Sequence, residues 1–491
     1  MAIIDELTNI VGNKYCSDKD YINVAYSRTI DPCLPEIIPK LVVRPESTEQ
    51  VIEIINIANK YKTPILPRGG GCGIMGGSKP ISEDVIVVDM TRMDKILDIN
   101  EKDYTVTVEC GLSWSRLNAV LFEKGYYTGN MGPGSGLNAV IGGGLSHHSG
   151  GGGGCGKYGK CTENCIGLEV VLGTGECITF GSQQNKYVEK PFVRLGLGPD
   201  LMGIFLGDNG TMGIKTKATM KIYPKPPYFS GKTFFIEDQP YENVQNMVME
   251  LHKMGWSQGL GIYDYFFTPP PAVMGVTTDH LIKSWGDILG GVIFYVHEAF
   301  SETVLEDNSE TIEKIAKKYT TRELGPSAEE GNITDWYYGE QGHWQVYHYG
   351  FSVLGPNYYA TSSEMIVPVS KMAEILHKLD EWEEEKNDEL FEADAESGAS
   401  HIVMLPHNSC YIGCGLSATN DEDLKEDVIK LWREQLELMS KLGGVLYMAG
   451  QIGSQVLVDS KIYTEPFYSF FKSVKKLVDP NNLISPGKFR F

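Results

Sequence analysis

The chain has 491 residues, of which 43 are basic and 64 acidic, so its formal net charge is −21 at pH 7. This balance argues against a nucleic-acid partner, because binding to phosphates needs a basic face. Apolar residues make up 42% of the chain, which is enough for the cores of two or more domains. No apolar run approaches the roughly 18 to 20 residues of a spanning helix and the start carries no basic segment, so we expect a cytoplasmic protein without membrane insertion.

The first predicted elements form a β-α-β unit that ends in a glycine-rich loop. Ser47 and Gln50 make a capping box, and apolar residues recur behind it at helical spacing. In the loop 64–77, successive unencumbered N–H groups suit a diphosphate. Residues 71–76 fit the dinucleotide fingerprint Gly-x-Gly-x-x-Gly, but a predicted strand at 84–89 follows where that fingerprint requires a helix. The loop therefore predicts a nucleotide site outside a Rossmann fold.

A denser glycine run occupies residues 139–159 and holds a Val-Ile pair and two adjacent histidines, His147 and His148. Glycine loses more conformational entropy on folding than any other residue, so such a run indicates backbone that lies close to a large flat ligand. A flexible linker is the alternative. Linkers lack these embedded side chains and the immediate return to a strand pattern at 165–172.

Beyond the proline-rich breaker at 224–227, helices are predicted at 241–254 and 421–442 and a strand at 290–296. Residues 336–349 are dense in aromatic side chains with polar tips, which fits either a half-buried strand or one wall of a pocket. Strand alternation puts Tyr347 and His348 on opposite faces of this segment. The acidic residues at 380–396 are expected to form a solvated surface, with docking of a basic electron-transfer protein as the alternative.

The ten cysteines stand at irregular spacing and read as reduced, buried thiols of an intracellular protein. Two groups could ligate a metal, one of Cys155, Cys161 and Cys165 and one of His407, Cys410 and Cys414. Neither group has the Cys-x-x-Cys spacing typical of zinc.

Four motifs in chain order carry a resemblance to a known family. They are Leu-Val-Val-Arg-Pro-Glu-Ser-Thr-Glu-Gln-Val-Ile at 41–52, Pro-Arg-Gly-Gly-Gly-Cys-Gly at 67–73, Asp-Asn-Gly-Thr-Met-Gly-Ile at 208–214 and Asp-Pro-Asn-Asn-Leu-Ile-Ser-Pro-Gly-Lys at 479–488. Over nearly the whole chain they resemble the FAD-linked oxidases of the vanillyl-alcohol oxidase and p-cresol methylhydroxylase superfamily. Residues 361–372 and 442–453 look most like its glycolate oxidase and D-lactate dehydrogenase branch.

The resemblance implies an α+β fold, in which a two-part FAD-binding domain of the p-cresol methylhydroxylase type carries an inserted cap of antiparallel sheet and helices. It divides the chain into the FAD-binding domain at 1–227, the cap at 228–444 and a segment at 445–491 that returns to the FAD-binding domain. The cofactor is expected to be FAD bound non-covalently, because Cys72 stands where some flavinylated members carry histidine.

By the same resemblance, the first loop holds the FAD diphosphate through backbone N–H groups and the second glycine run passes beneath the flavin ring. Residues 209–214 close the adenine side, and Lys488 lies near the polar edge of the flavin. The predicted FAD contacts are Arg68, Gly69, Gly70, Gly71, Cys72, Gly73, Pro133, Gly134, Ser135, Val140, Ile141, Gly142, Gly143, Tyr158, Gly159, Asn209, Gly210, Gly213, Ile214 and Lys488.

The reaction that the resemblance implies removes a hydride from a carbon next to oxygen or an aromatic ring and delivers it to the flavin. An active-site base is tuned toward neutral pH, so histidines are considered first. His148 stands where the branch usually has asparagine and is the first candidate for the base; a histidine that only holds two loops together is the alternative. His147 would point the other way if this stretch were extended. The other catalytic candidates are His348, Tyr347, His407 and Tyr447.

Two departures from the family leave the substrate open. The hydroxy-acid branch binds a divalent metal through a His-x-Gly-Asp-Gly-Asn-x-His motif and a Glu-His pair, but this chain lacks the first at 405–414 and has Ala449 and Gly450 in place of the second, so we expect no metal. The aromatic-alcohol branch uses a Tyr-Arg pair where this chain has Tyr447 and Met448.

Three functions follow as hypotheses from the resemblance. The first is an FAD-dependent dehydrogenase of an alcohol or hydroxy acid that passes electrons to a separate acceptor. The second is a phenolic or aromatic-alcohol oxidase, and the third is a non-redox flavin enzyme similar to the ether-lipid synthases. The expected partners are a small-molecule substrate, an electron-transfer protein and a second copy of the chain in a homo-oligomer.

Overall fold

The computed structural model describes residues 3–29, 35–150, 154–236, 238–253, 263–266, 291–320, 322–323, 358–406, 409–419 and 421–491. Predicted features that lie outside these ranges include the aromatic segment 336–349, and with it Tyr347 and His348, as well as His407.

A small sheet near the start of the chain carries the first glycine loop. Its strand order is Cys16–Ser17, Leu41–Val43, Ile86–Asp89 and Ile65–Arg68, and the last three strands are parallel. The helix Thr48–Tyr61 begins where Ser47 Oγ accepts the Gln50 N–H at 3.3 Å, while the Gln50 side chain accepts the Glu46 N–H at 2.8 Å. The predicted helix start is confirmed. The helix delivers the chain to a strand whose end opens directly into the loop.

A second, antiparallel sheet lies beside the first and supports the second glycine run. Its strand order is Ile96–Asn100, Thr105–Glu109, Ile214–Lys221, Cys165–Val171 and Cys177–Gly181. Tyr126–Tyr127 and Tyr223–Pro224 form a separate two-stranded ribbon. Trp114, at the start of the helix Trp114–Glu123, is fully buried in the core under this sheet. Burial of an aromatic ring of this size anchors the backbone that packs on it.

The cap is a nine-stranded sheet with helices packed against it. All its described strand pairs are antiparallel, which confirms the predicted α+β fold with an antiparallel cap. The strand order is Arg322–Glu323, Tyr228–Ile236, Gly291–Ala299, Tyr263–Phe266, Ala395–Met404, Ser409–Thr419, Met365–Pro368 and Val445–Leu446, with Tyr358–Ala360 also paired to Ser409–Thr419.

The α-helices of the described ranges are 4 to 17 residues long. They are Ile3–Val11, Asp20–Asn23, Thr48–Tyr61, Trp114–Glu123, Ile141–Ser146, Cys155–Tyr158, Cys161–Asn164, Pro240–Lys253, Glu302–Ala316, Met372–Glu385, Asn387–Glu392, Lys425–Lys441, Ile452–Asp459 and Glu465–Val478. None of the helices that the structure describes is both long enough and apolar enough to cross a membrane.

The end of the chain packs back onto the first sheet. The Ile65 N–H donates to the Leu483 carbonyl at 2.7 Å, and the Ser485 N–H donates to the Ile65 carbonyl at 2.8 Å. The strand Val445–Leu446, however, belongs to the cap sheet, and the helix Ile452–Asp459 contributes to the cap core. Residues 450–451 also contact the FAD-binding part, since the Gly450 N–H donates to Asn209 and the Gln451 N–H to the Met75 carbonyl, so the boundary at 445 stays a prediction.

Candidate functional site

The two glycine segments lie directly against each other. A Cβ atom at Gly70 would overlap the carbonyl oxygen of Asn138, and one at Gly69 would overlap a methyl group of Val140. Only glycine lets the two backbones approach this closely. The diphosphate loop and the segment predicted to lie under the flavin ring are thus brought together.

The first loop presents backbone donors that the protein does not use. Within the described residues, the N–H groups at 70–73 donate to no backbone carbonyl. Arg68 shapes the loop from behind, because its guanidinium donates to the carbonyls of Tyr26, Arg28 and Ser78 at 2.9–3.1 Å. A Cβ at Gly73 would meet no atom within 4 Å, so the loop borders open space. Unpaired N–H groups around such a space form a nest for an anion such as a diphosphate.

The second segment begins as a short helix, Ile141–Ser146, and not as the extended strand on which the orientation of His147 was based. A Cβ at Gly142 would press on Cys110 and one at Gly144 on Trp114, so these two glycines seat the helix on the core. Gly143 faces away from both contacts. A Cβ there would meet only a methyl group of Val140, at 3.7 Å. The open face of the helix therefore has room for a flat ring beside it.

Three buried lysines lie around residues 208–211, and they differ in their partners. Lys215 pairs with Asp208 and Lys475 with Asp479, each at 2.6 Å. Lys488 has no carboxylate partner within the described chain, and its Nζ donates to the Asn209 carbonyl at 2.7 Å. Burial lowers the pKa of Lys488 to about 7. A buried ammonium group without a counter-ion is a place where an anionic ligand would be stabilised.

The sequence favoured His148 over His147 as the base, but His147 lies closer to this lysine cluster. A Cβ at Gly77 would lie 3.3 Å from its ring and 3.6 Å from the Cα of Gly450, whose N–H donates to Asn209 Oδ1 at 2.8 Å. Burial and the charge of Lys488 lower the pKa of His147 to about 4. Its Nδ1 atom is buried and has no hydrogen-bond partner in the described chain. An orphaned ring nitrogen beside an unpaired ammonium group indicates that a polar ligand belongs here.

His148 is engaged on both edges of its ring. Its Nδ1 lies 2.9 Å from Thr162 Oγ1, and its opposite edge occupies the space that a side chain at Gly207 would need. Burial lowers the pKa of His148 to about 4. These contacts favour a histidine that holds two loops together. Its role as the base stays a prediction.

Tyr447 joins the glycine run to the cap. The Gly150 N–H donates to Tyr447 Oη at 2.6 Å, and the ring stacks on Tyr411 with centroids 5.2 Å apart. The Tyr447 N–H donates to the carbonyl of Glu364 at 2.9 Å. Burial, and after it the carboxyl group of Glu364, raises the pKa of Tyr447. Glu364 was not among the sequence candidates, although it lies in the motif at 361–372.

Several predicted FAD contacts have partners within the protein. The hydroxyl of Tyr158 donates to Glu298 at 2.7 Å, and the carbonyl of Gly159 accepts from Asn130 at 2.7 Å. At 213–214, the chain enters a strand and packs on its neighbour. Their contact with FAD stays a prediction, as do the roles of Pro133, Gly134, Ser135 and Gly210.

The cysteine groups considered as metal ligands show other contacts. The thiol of Cys155 donates to the Gly150 carbonyl, and that of Cys161 to the Gly144 carbonyl at 3.3 Å. Burial raises the pKa of both Cys410 and Cys165 to about 12. No group of three metal-ligating side chains occurs among the residues that the structure describes.

Comparison with known proteins agrees with this geometry. The family model for the FAD binding domain matches residues 39–181, and the model for the C-terminal domain of FAD linked oxidases matches residues 276–489. The GlcD subunit of glycolate oxidase from Bacillus subtilis is 32% identical over 222 residues, which are 45% of this chain and 45% of that protein. The mitochondrial D-lactate dehydrogenase (cytochrome) 1 of Saccharomyces cerevisiae is 31% identical over 233 residues, 46% of this chain and 37% of the relative.

The match to these two curated relatives spans less than half of their length. The solved structure of 4-ethylphenol oxidase from Gulosibacter chungangensis superposes with a TM-score of 0.82, covering 99% of this chain and 96% of that one. At 19% identity, this similarity is one of fold. The free N–H groups, the open face at Gly143 and the unpaired Lys488 all fit FAD. The chain therefore carries an FAD binding domain at 39–181 and the C-terminal domain of FAD linked oxidases at 276–489.

Proposed function

We propose that this protein is an FAD-dependent dehydrogenase that removes a hydride from an alcohol-type carbon and passes the electrons to a separate acceptor. The observation that carries the proposal is the pair of open positions beside the two touching glycine loops, at Gly73 next to the N–H groups at 70–73 and at the face of Gly143. Bound FAD would supply the hydride acceptor. Holding it in place and handling the substrate proton are tasks for the protein's own groups.

The cofactor would be held chiefly by backbone. The loop at 70–73 offers N–H groups to the diphosphate, and the absence of a side chain at Gly143 leaves room for the ring. Lys488 would place a positive charge opposite an anionic part of the ligand, which in turn would raise the lysine pKa from its value of about 7. His147 Nδ1 would accept or donate one further hydrogen bond.

FAD attachment is proposed to be non-covalent. Cys72, in the first loop, is the residue whose position suggests a covalent link. Burial raises the pKa of its thiol, against the opposing effect of the Ser135 hydroxyl. The thiolate is the nucleophilic form of cysteine, so a buried thiol of raised pKa is unreactive.

Tyr447 is proposed to bind and orient the oxygen of the substrate. Its hydroxyl is fixed by the Gly150 N–H and its ring by the stack on Tyr411. The substrate proton must pass to a base, and a pKa of about 4 makes His148 a weak one. Tyr347, His348 and His407 remain the rival candidates for the base.

A separate electron acceptor is proposed from the name of one relative, a D-lactate dehydrogenase (cytochrome). The helix Met372–Glu385 and the segment after it carry acidic side chains that are mostly exposed, and a basic electron-transfer protein would complement that charge. Homo-oligomer formation and a cytoplasmic location remain predictions.

A second candidate, a phenolic or aromatic-alcohol oxidase, is favoured by one observation. The stacked rings of Tyr411 and Tyr447, with planes 10° apart, offer a flat aromatic wall beside the glycine run.

The test mixes FAD-loaded protein with alcohols, hydroxy acids and alkylphenols in the absence of oxygen. The proposal predicts that an alcohol bleaches the flavin absorbance and that an artificial acceptor restores it faster than oxygen does. Faster recovery with oxygen would favour the oxidase. Binding of substrates without any bleaching would contradict both and favour the non-redox hypothesis.

A further inference from the structure

The helix Glu465–Val478, near the end of the chain, presents a row of apolar side chains to the outside of the molecule. Phe467, Phe470 and Leu477 lie on one face of this helix, and their side chains are 51%, 67% and 77% exposed. Single apolar residues are common on protein surfaces, whereas an aligned row of them marks a surface that meets an apolar partner. These three residues are called the apolar stripe below.

The opposite face fixes the helix in the protein. Lys475 Nζ donates to the carbonyl of Ile484 at 2.9 Å. The ring of Phe471 packs against those of Phe489 and Phe491, with centroids 5.2 and 4.9 Å apart. A rotation of the helix that buried the apolar stripe would break these contacts. The stripe is therefore held on the outside by a well-packed element.

Positive charge lies beside the apolar stripe on the same exposed surface. The helix contains three lysines and one glutamate, although the chain as a whole carries a net charge of −21. Lys472 and Lys476 are exposed, and neither forms an ion pair within the residues that the structure describes. At 3.6 residues per turn, Ser469 and Ser473 lie between these two lysines and the stripe. The outer surface is thus apolar along one side and basic along the other.

This combination fits the surface of an anionic membrane better than another protein. A helix that lies in the membrane interface pairs a face of phenylalanine and leucine with lysines that attract acidic lipids. The apolar stripe offers roughly 300 to 400 Å² of exposed area. A stable protein interface buries about 800 Å² on each partner, so the stripe alone is too small for one.

We propose that the helix Glu465–Val478 docks this protein on the surface of an anionic lipid bilayer. The apolar stripe enters the boundary between headgroups and acyl chains, and Lys472 and Lys476 contact the lipid phosphates. Their long aliphatic stems can lie along apolar surface while the ammonium groups stay at the level of the headgroups. The contact is peripheral and requires no membrane-spanning segment. It is independent of the reaction proposed above.

The experiment sediments sucrose-loaded vesicles with the purified, FAD-loaded full chain. One set of vesicles is phosphatidylcholine alone, and the other contains about 30% phosphatidylglycerol, which makes its surface negative. Partitioning onto the anionic vesicles is expected to be at least about tenfold stronger, because each of the two lysines contributes a severalfold factor at such a surface. Raising the salt from about 0.1 M to about 1 M should weaken it by screening. Equal partitioning onto both sets, or none onto the anionic set, would overturn the proposal.

Variants test whether this helix is responsible. Phe470→Ser combined with Leu477→Ser removes most of the apolar stripe, and Lys472→Glu combined with Lys476→Glu reverses the charge beside it. Each double variant should lower partitioning onto anionic vesicles about tenfold or more. Phe391→Ser is the matched control, because Phe391 is 84% exposed on a different helix, and it should leave partitioning unchanged.

The FAD content of each variant reports whether it has folded. Undiminished partitioning in both double variants would refute the assignment to this helix. Light scattering without vesicles tests the rival occupant, a second copy of the chain. A dimer that separates into monomers in the Phe470→Ser, Leu477→Ser variant would show that the apolar stripe is buried between two copies, and this result would also overturn the proposal.

Discussion

The two sides of the site are built by different means. The cofactor side is made largely of backbone, with the free N–H groups at 70–73 and the side-chain-free face of Gly143. The proposed substrate side is made of side chains such as Tyr411 and Tyr447, which come from segments far apart in sequence and stack with ring centroids 5.2 Å apart. A site made of backbone depends on the local spacing of glycines, so few substitutions are compatible with it. A side-chain site can change its chemistry one residue at a time while the cofactor side stays as it is.

The largest effect is expected from filling the open face of the cofactor side. Gly143→Val should abolish FAD binding while the chain still folds, because the new methyl groups enter open space and not the core. Gly203→Val is the matched control, since a Cβ there meets only a guanidinium nitrogen at 3.7 Å. FAD per chain and circular dichroism give the readout. Full FAD occupancy in Gly143→Val would show that the open face does not receive the cofactor.

Gly70→Val tests the close approach of the two glycine loops on the cofactor side. A Cβ at this position overlaps the Asn138 carbonyl, so this variant should separate the two glycine loops and lose FAD as a result.

A second pair of variants tests which residue assists the removal of the substrate proton. Tyr447→Phe removes a hydroxyl held by Gly150 and should slow flavin reduction roughly tenfold to a hundredfold, the cost of a lost buried hydrogen bond. His148→Asn should lower thermal stability and change the rate less than about tenfold, because its ring is engaged with Thr162 and Gly207. Stopped-flow reduction of both variants gives the rates. A fall of about 10² to 10⁴ in His148→Asn would instead make His148 the base.

A smaller effect is expected from the buried lysine. Lys488→Met should weaken FAD binding about tenfold to a hundredfold, as expected for one charged hydrogen bond. Because the pKa of Lys488 is about 7, the lysine is charged below that pH, so the wild-type affinity should fall as pH rises above 7. Fluorescence titration of the apoprotein across pH measures both effects. Lys476→Met is the exposed control, and equal pH profiles in the wild type and Lys488→Met would exclude this role.

The last expected effect is on stability. The unfolded Glu364 ionises above its ordinary pKa of 4.5, while the folded side chain stays neutral up to about 8, with Ser362, Tyr447 and Cys414 as its polar neighbours. The free energy of unfolding should therefore fall between these two pH values, by at most about 1.4 kcal/mol per pH unit. Glu364→Gln should flatten this slope in thermal denaturation at pH 5 and pH 8. An identical slope in both proteins would show that Glu364 is ionised in the folded state.

The predictions from sequence agree best with the structure for elements that are determined by residues close together in the chain. The capped helix Thr48–Tyr61, the glycine loops and the antiparallel cap could all be predicted, because capping and spacing act over a few residues. The helix Ile141–Ser146 was missed, since it depends on how Gly142 and Gly144 seat on distant core residues. Glu364 was missed for a related reason. Its burial becomes visible only when Tyr447 and the cap strands are assembled around it.

The most direct test of the account is the identity and attachment of the cofactor. Purified protein is denatured with acid, and the flavin in the supernatant and in the precipitate is identified and quantified against the chain. The account predicts FAD, released into the supernatant in an amount approaching one per chain. Recovery of FMN, or of no flavin after growth with excess riboflavin, would contradict the central claim that the two glycine loops hold FAD. Flavin that stays with the precipitate would contradict non-covalent attachment.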